Sequence, residues 1–557
     1  MSGVADASPD TLVFLPLGGT GEIGMNLNLY GHAGQWLMVD LGITFPEDGM
    51  PGIELVLPDP TFIEERRDAL LGLVLTHAHE DHLGAVPHLW RRLQCPIWAT
   101  PFTAAVLRRK LEEHGLLDAV PLHEVPLGGR VGIGPFGVQF ISLTHSIPEP
   151  NALALRTPAG TVLHTGDWKI DARPLVGGDI DEAALRALGD EGVLAMVCDS
   201  TNALNPGRSG SEAEVRESLL RLVEGRPGRV AVTSFASNVA RISTVAAVAR
   251  AHDRHLALVG RSLWRIVSSA RDTGYLDDLG PVLEAEEAAY LPPDKVLYLC
   301  TGCQGEPRGA MARIAAGQHP HVVLGEGDTA IFSSKMIPGN ERAIGRMLNR
   351  LSWHGVTVIS ERDAFVHVSG HPCRDELADM YRWVRPRIAV PVHGEYRHLV
   401  AHAELARELQ VPAAVVMENG QMLRLGPGEP EIVGEVQAGR WLLDGEVVVP
   451  QEDEAIRTRR KIMYNGTAVI TLVADPAGRL IGAPAVVMQG ITADGQGTSL
   501  QVEALRAVQG AVASVPRDAR GDDGRIAEAA RLALRRLLRQ RLGKRPVVEA
   551  QVIRVPQ

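Results

Sequence analysis

The chain reads as an α/β protein of several domains, and three observations predict this. Short apolar runs of strand length repeatedly end in polar residues and give way to segments with helical periodicity. At 557 residues the chain exceeds what one core organises, so roughly two to four domains are expected. Aromatic residues make up only 4% of the sequence against 45% hydrophobic and 22% charged, an ordinary globular composition rich in small aliphatics. The five cysteines (Cys95, Cys198, Cys300, Cys303, Cys373) are few and odd in number, unlike a secreted disulfide framework. Residues 1–10 have neither the basic nor the apolar region of a signal peptide, and no apolar run reaches membrane-spanning length. A cytoplasmic protein without a membrane partner is expected. The formal charge of −11 does not suggest a general polyanion binder, although a local basic groove is compatible with an acidic exterior.

In chain order, residues 12–17 form a first strand leading into Gly18-Gly19-Thr20-Gly21-Glu22-Ile23-Gly24. This contains a formal G-x-G-x-x-G, but a dinucleotide site would need a helix next. Residues 26–30 alternate like a strand instead, so the glycines read as a tight turn letting backbone approach a ligand or metal. Residues 35–40 make another strand ending in Asp40, whose spacing fits either a turn or the holding of a ligand histidine by its free N–H. Residues 70–75 are a short buried strand that runs into Thr76-His77-Ala78-His79-Glu80-Asp81-His82, and a helix opens after it. An extended backbone turns His77 and His79 to one side, and Asp81 and His82 add a second direction. Three imidazoles and a carboxylate so close together suit borderline divalent metals, zinc first, and the cluster reads as a site for two ions. Two later strands, 137–143 and 161–164, also end in candidate ligands, His145 and Asp167, while His164 lies within its strand and reads as packing.

Asp40, His77-x-His79-x-Asp81-His82, His145 and Asp167 resemble the ordered motifs of the metallo-β-lactamase superfamily. The resemblance implies an αββα sandwich with two metals at one edge. The superfamily includes β-lactamases, thioesterases, lactonases and nucleases, so it names no substrate.

Residues 193–202 run as a strand into Asp199-Ser200-Thr201-Asn202, and the character changes near Arg208. Helical and strand-like segments then alternate (212–223, 230–234, 238–252, 255–259, 262–273, 295–300), which reads as a second α/β unit of roughly 140 residues inserted into the first. The first domain resumes with 356–359, His367-Val368-Ser369-Gly370-His371 and a strand from Arg387 to Val392 followed by His393. Asp199, the run from Thr301 to Pro307, His367 to His371 and Pro391 to His398 resemble the β-CASP nucleases and, among them, the ribonuclease J family. One departure is Cys303, where the bacterial family more usually carries Ser. Cys300 and Cys303 have no second pair and read as buried thiols near a loop, not a zinc finger. The resemblance divides the chain into a metallo-β-lactamase domain at 1–208 and 356–449, an inserted β-CASP domain at 209–355, a charged linker at 450–467 and a C-terminal α/β domain at 468–557. In the last, 525–542 reads as an amphipathic helix with Ile526, Leu532, Leu534, Leu537 and Leu538 apolar. Its Arg531, Arg535 and Arg539 read as a solvated face or dimer contact ahead of an RNA contact.

By the family pattern His77, His79 and His145 hold one ion, Asp81, His82 and His393 the other, and Asp167 bridges. Zinc is expected, with manganese as the second choice. The resemblance places His367 at the scissile phosphate and gives Asp199 the task of orienting a histidine; His393 resembles the RNA-processing branch. It implies 5′-to-3′ degradation of single-stranded RNA from a 5′-monophosphate with endonucleolytic cutting, in mRNA decay and rRNA maturation. It also implies a homodimer or homotetramer and RNA-degradation or ribosome-associated partners. A terminal phosphate needs several donors, for which Ser234, Asn238, His367, Ser369, Gly370 and His371 are the candidates. The alternatives are a small-ester or thioester metallohydrolase on the same core and a non-catalytic RNA-binding scaffold.

Overall fold

The computed structural model describes residues 10–47, 49–337, 339–492 and 497–555. The stretch read for a signal peptide lies outside them except for Asp10. The chain forms two compact units, one reaching residue 44 and continuing over 56–440, the other made of 45–55 and 441 onward. No helix among the described residues is long and apolar enough to cross a membrane.

The first unit contains two sheets face to face. An eight-stranded sheet is built on the antiparallel strands Leu12–Gly18, Leu27–His32 and Gln35–Val39, with Leu70–Val74, Ile97–Ala99 and Leu122–Glu124 added in parallel. The seven-stranded sheet joins Phe136–Ser142, Asn151–Thr157 and Gly160–His164 to the parallel strands Ala195–Asp199 and Ile388–Val392. The two-residue period of these strands splits their side chains between two cores. Leu153, Leu155, Ala195, Val197, Ile388 and Val390 face Leu12, Phe14, Tyr30 and Val39 of the other sheet. Ala152, Ala154, Met196, Cys198 and Ala389 turn the other way, onto helices Glu182–Glu191, Arg374–Val384 and Tyr396–Glu408. On the other sheet, helix Pro101–Glu113 packs against Ile97–Ala99 and Leu122–Glu124.

The chain leaves the seven-stranded sheet at Asp199 and returns at Ile388, and those two strands are direct neighbours. Everything between is therefore an insertion whose two stems lie side by side. It holds a six-stranded, wholly parallel sheet in the order Leu283–Glu284, His255–Val259, Val296–Cys300, Val230–Thr233, Thr329–Phe332, Thr357–Ile359. Such strands are covered by helices and read as near-continuous apolar runs, which made 230–234, 255–259 and 295–300 legible. Thr329–Phe332 was not singled out, and 356–359, expected where the first domain resumes, instead forms the edge strand Thr357–Ile359 of this sheet, paired in parallel with Thr329–Phe332. Cys300 and Cys303 are free and buried, and burial pushes the Cys303 thiol up to about 12.

In the second unit the strands run Ala485–Gln489, Thr467–Ala474, Val547–Arg554, with the last pair parallel. Helix Asp523–Leu542 buries Ile526, Ala530, Leu534 and Leu538, a spacing of four that forms one stripe. Leu532, expected among the apolar set, is 46% exposed because it lies on the opposite side of that stripe. Arg531 pairs with Glu528 at 2.6 Å, a solvated-face contact. The stretch 450–467, expected as a linker, is also corrected: Glu454–Asn465 is a helix. Its Asp453 caps the Ala455 amide at 2.8 Å, Ile456 is buried, and Arg459 pairs with Asp444. A face of a single buried residue left too weak a periodic signal to see.

Within the insertion, Arg241 is completely buried and grips the Glu212 carboxylate through Nε and Nη2, while Nη1 donates to the carbonyls of Ser333 (2.7 Å) and Val366 (3.0 Å). One guanidinium thus ties two helix starts to the segment that precedes His367. Removing one partner of a buried pair strands the other charge, so Arg241→Met should lower unfolding stability by about 3–5 kcal/mol. Urea unfolding of the purified protein checks this, and adding Glu212→Gln should return part of the loss.

Candidate metal centre

Loops that follow five strands, two in one sheet and three in the other, carry the residues singled out by the sequence. His77, His79, Asp81 and His82 follow Leu70–Val74; Asp40 follows Gln35–Val39; His145 follows Phe136–Ser142; Asp167 follows Gly160–His164; His393 follows Ile388–Val392. Asp40 (φ 62°) and His393 (φ 52°) both take left-handed backbone despite having side chains, strain of the kind that concentrates at functional sites. The loops approach closely. A Cβ on Gly42 would fall 1.7 Å from the Asp81 carbonyl oxygen, and one on Gly370 would fall 2.5 Å from the His145 ring. The early glycine motif serves the same end. Thr20–Gly21 pairs in parallel with Gly394–Glu395, and the Gly19 carbonyl accepts from the His393 amide at 2.6 Å.

The side chains converge as two donor sets sharing one carboxylate: His77, His79, His145 and Asp167, and Asp81, His82, Asp167 and His393. In the first set the Nε2 atoms of His77 and His145 each lie 3.1 Å from Nδ1 of His79. In the second, His82 Nε2 lies 3.1 Å from Asp167 Oδ2 and His393 Nε2 lies 3.7 Å from Asp81 Oδ2.

The rings are aimed by what holds their far nitrogens. His82 Nδ1 donates to Asp40 at 2.7 Å. His77 Nδ1 donates to Thr76 Oγ1 at 3.0 Å, and that hydroxyl in turn donates to Asp40 at 2.8 Å. His145 Nδ1 donates to the Gly370 carbonyl, and His393 Nδ1 donates to Asn26 Oδ1 at 3.1 Å. Each of these four rings therefore presents the lone pair of Nε2 to the cluster, the arrangement that metal-ligating histidines use. Asp40 thus holds the far nitrogen of His82, a member of the second donor set.

The electrostatics fit divalent cations. Burial pushes the pKa of His77, His79 and His145 down, that of His79 to about 4, so these rings are neutral, the form a metal binds. Burial works against the charged form of His82, yet the carboxylates of Asp167, Asp81 and Asp40 raise it well above the ordinary value. For Asp167 burial is likewise opposed, here by His393, His82 and His371, which hold its carboxyl well below the usual range. Asp167 Oδ1 and His393 Nε2 are buried atoms without a hydrogen-bond partner among the described residues. Unpaired buried polar atoms are costly, and a bound cation removes the cost.

A third grouping, Asp167, Asp199 and His371, adjoins these sets. His371 Nδ1 is 2.8 Å from Asp199 Oδ2 and 3.9 Å from Asp167 Oδ2. Burial opposes its charge, but Asp199 and Asp167 push its pKa up to about 9, so it is a cation near pH 7. Of the two histidines in this run, the one that Asp199 contacts is His371, and Asn202 clamps the loop by donating to Ser369 Oγ (2.7 Å) and to the His371 carbonyl (3.0 Å). His367 has its Nδ1 buried without a partner; burial and the nearby cations Arg241, Lys335 and Lys169 hold its pKa well below the ordinary value. Ser234 is buried with a partnerless Oγ. Asn238 is engaged as the cap of helix Val239–Ala251, accepting from the Arg241 amide at 2.8 Å. Gly370 contributes its carbonyl to His145. His164 packs in its strand with Nδ1 2.9 Å from the Tyr30 hydroxyl.

Sequence reasoning missed Asn26, Thr76 as a relay, and Thr201, whose hydroxyl donates to Asp199 Oδ1 (2.7 Å) and approaches the His393 carbonyl (3.1 Å). Asn26 donates to the Asp81 carbonyl at 2.9 Å while accepting from His393. Its signal was a polar residue inside an otherwise apolar strand entry.

Family models match consecutive stretches of the chain. The metallo-beta-lactamase superfamily covers residues 25–233, the ribonuclease J beta-CASP domain 227–351, the Zn-dependent metallo-hydrolase RNA specificity domain 355–416 and the ribonuclease J C-terminal domain 454–555. The fold is thus a metallo-β-lactamase domain with an inserted β-CASP domain and a C-terminal domain. Among solved structures, a protein of unknown function from Enterococcus faecalis V583 aligns over 74% of this chain and 100% of its own, with a TM-score of 0.50 and 16% identity, a likeness of fold alone. Ribonuclease J of Sinorhizobium meliloti is 46% identical over 99% of this chain and 98% of its own length. Ribonuclease J of Mycolicibacterium smegmatis is 39% identical over 98% of both, and that of Thermus thermophilus is 37% identical over 89% and 88%. With identity at this level running from end to end, the chain belongs to the ribonuclease J family.

Proposed function

We propose that the chain is a metal-dependent ribonuclease that hydrolyses single-stranded RNA, working 5′ to 3′ from a monophosphate end and also cutting internally. On this reading it serves mRNA decay and rRNA maturation in the cytoplasm as a homodimer or homotetramer. The observation that carries the proposal is the pair of donor sets sharing Asp167 beside the Asp199–His371 pair. The relatives' name and the match to an RNA specificity domain over 355–416, which spans His367, His371 and His393, support RNA as the substrate.

His77, His79, His145 and Asp167 would hold one divalent ion, and Asp81, His82, His393 and Asp167 the other, with zinc or manganese the metals. Such a pair supplies an acidified water and neutralises charge on the phosphate oxygens. Asp81 has 30% of its side chain exposed and is the ligand carboxylate open to the proton that water gives up. As the new O–P bond forms and the P–O3′ bond breaks, the 3′-oxygen needs a proton or a donor. His371, charged and held by Asp199, offers one. The Ser234 hydroxyl and His367 Nδ1, both buried without a hydrogen-bond partner among the described residues, and the cations around His367 suit the dianionic terminal phosphate of a 5′-monophosphate. On this reading Ser369, Gly370 and His371 also contribute to the phosphate pocket, as does Asn238 from the cap of helix Val239–Ala251.

His371→Ala should lower kcat by about 10²–10⁴-fold, the usual worth of a positioned acid, on labelled RNA with either 5′ end. Ser234→Ala and His367→Ala should instead reduce the preference for 5′-monophosphate over 5′-hydroxyl RNA and spare cleavage of the hydroxyl form. Chelation should abolish cleavage, and zinc or manganese should restore it. Failure of metal-replete protein to cleave RNA of either kind would overturn the proposal.

A further inference from the structure

Helix Glu454–Asn465 carries a face that the metal centre does not use. Arg457, Arg460, Lys461 and Tyr464 stand at relative positions 0, 3, 4 and 7, so they share one side of the helix, and all four are exposed. Tyr464 is 59% exposed. The face continues past the helix end, where Lys544 Nζ donates to the Tyr464 carbonyl at 2.9 Å and the Arg545 amide donates to Asn465 Oδ1 at 3.0 Å. Both of these side chains are exposed as well.

Among the described residues, Arg457, Arg460, Lys461, Lys544 and Arg545 form no ion pair with a carboxylate. Arg460 Nε contacts only the Gly49 carbonyl, at 3.2 Å. Arg459, on the other side of the helix, is the one neutralised by Asp444. The acidic residues of this element, Asp453 and Glu454, sit at its N-terminus, where they suit the helix dipole. No basic residue lies in the last turn of the helix, so the dipole does not account for the five cations with an exposed aromatic ring among them. In a chain of net charge −11, such a concentration is a local exception.

We propose that this face is an auxiliary binding site for single-stranded RNA, with Arg457, Arg460, Lys461, Lys544 and Arg545 on successive phosphates and Tyr464 as a stacking surface for a base. Cationic tracks interleaved with aromatic rings hold single strands without reading sequence. The inference rests on the ribonuclease reading and extends it to substrate length: long RNA meets both the metal centre and this face, and short RNA meets the metal centre alone.

The test uses the full-length, metal-replete protein with Arg457→Gln, Arg460→Gln and Lys461→Gln combined, and separately Tyr464→Ala. Affinities are measured against salt on nuclease-resistant 2′-O-methyl RNA of about 30 nucleotides, longer than one single-strand site, and of about 5, shorter than most. Each single-strand phosphate contact adds about 0.7 to the slope of log affinity against log salt, so the triple variant should lower that slope by about 2 for the long RNA and weaken binding at least about ten-fold at low salt. Tyr464→Ala should weaken long-RNA binding with the slope unchanged. Turnover of an unmodified short RNA of about 5 nucleotides should match the parent protein, which also reports that the variants are folded. An unchanged slope with short RNA still cleaved would overturn this site alone. A changed oligomeric mass with no change in slope would also overturn it and make the face a contact between copies. Absence of short-RNA cleavage by the parent would overturn the ribonuclease reading and this inference with it.

Discussion

Asp167 sits where two donor sets and the Asp199–His371 pair meet, and its carboxylate is almost fully buried. Left alone, such a charge would be protonated or would unfold its surroundings. It is kept ionised by His393 at 3.5 Å, His82 at 3.1 Å and His371 at 3.9 Å, while the neutral rings of His77 and His145 lie near 4 Å. The surrounding architecture serves that convergence. Strands of two sheets end at one edge, a left-handed Gly166 turns the chain just before Asp167 (φ 57°), and a Cβ there would press on Thr76, the relay to Asp40. Asp40, Asn26 and the Gly370 carbonyl then fix four rings from behind, so the Nε2 atoms of His77, His82, His145 and His393 are aimed at the cluster.

The insertion gains its place in the chemistry from its stems. Because Asp199 and His393 lie at the ends of adjacent strands, the whole β-CASP domain is hung from the rim of the metal centre. Its return segment brings His367 to His371 back across that rim. The Asp199-Ser200-Thr201-Asn202 run acts as the rivet. Asp199 holds His371, Ser200 binds His402 at 2.8 Å, Thr201 reaches the His393 carbonyl and Asn202 clamps the returning loop. Four consecutive side chains thus join three different segments, the returning loop being held twice, so the position of the insertion and the pose of His371 are set together.

Much of this was legible in the sequence. The residues of the two donor sets follow short apolar strands, and three of the insertion's parallel strands are continuous apolar runs, so these could be placed from local pattern. The choice between His367 and His371 could not. The two lie four residues apart in one loop, and the selection is made by Asn202 and Asp199, which are distant in sequence and have no local signature. Asn26 was hidden for the same reason, since its partner His393 is contributed by the far side of the insertion. Helix Glu454–Asn465 escaped because a polar helix with one buried residue has almost no periodic signal, although its Asp453 cap and terminal Gly466 mark both ends.

The central claim is that Asp167 is common to two ion sites. The most direct measurement is metal content per chain, by elemental mass spectrometry after gel filtration, for the parent protein and for Asp167→Asn, with anomalous diffraction to locate the ions. The account predicts two ions in the parent, one against each donor set, and weakened occupancy of both in the variant. A single ion in the parent, or loss confined to one site in the variant, would contradict it.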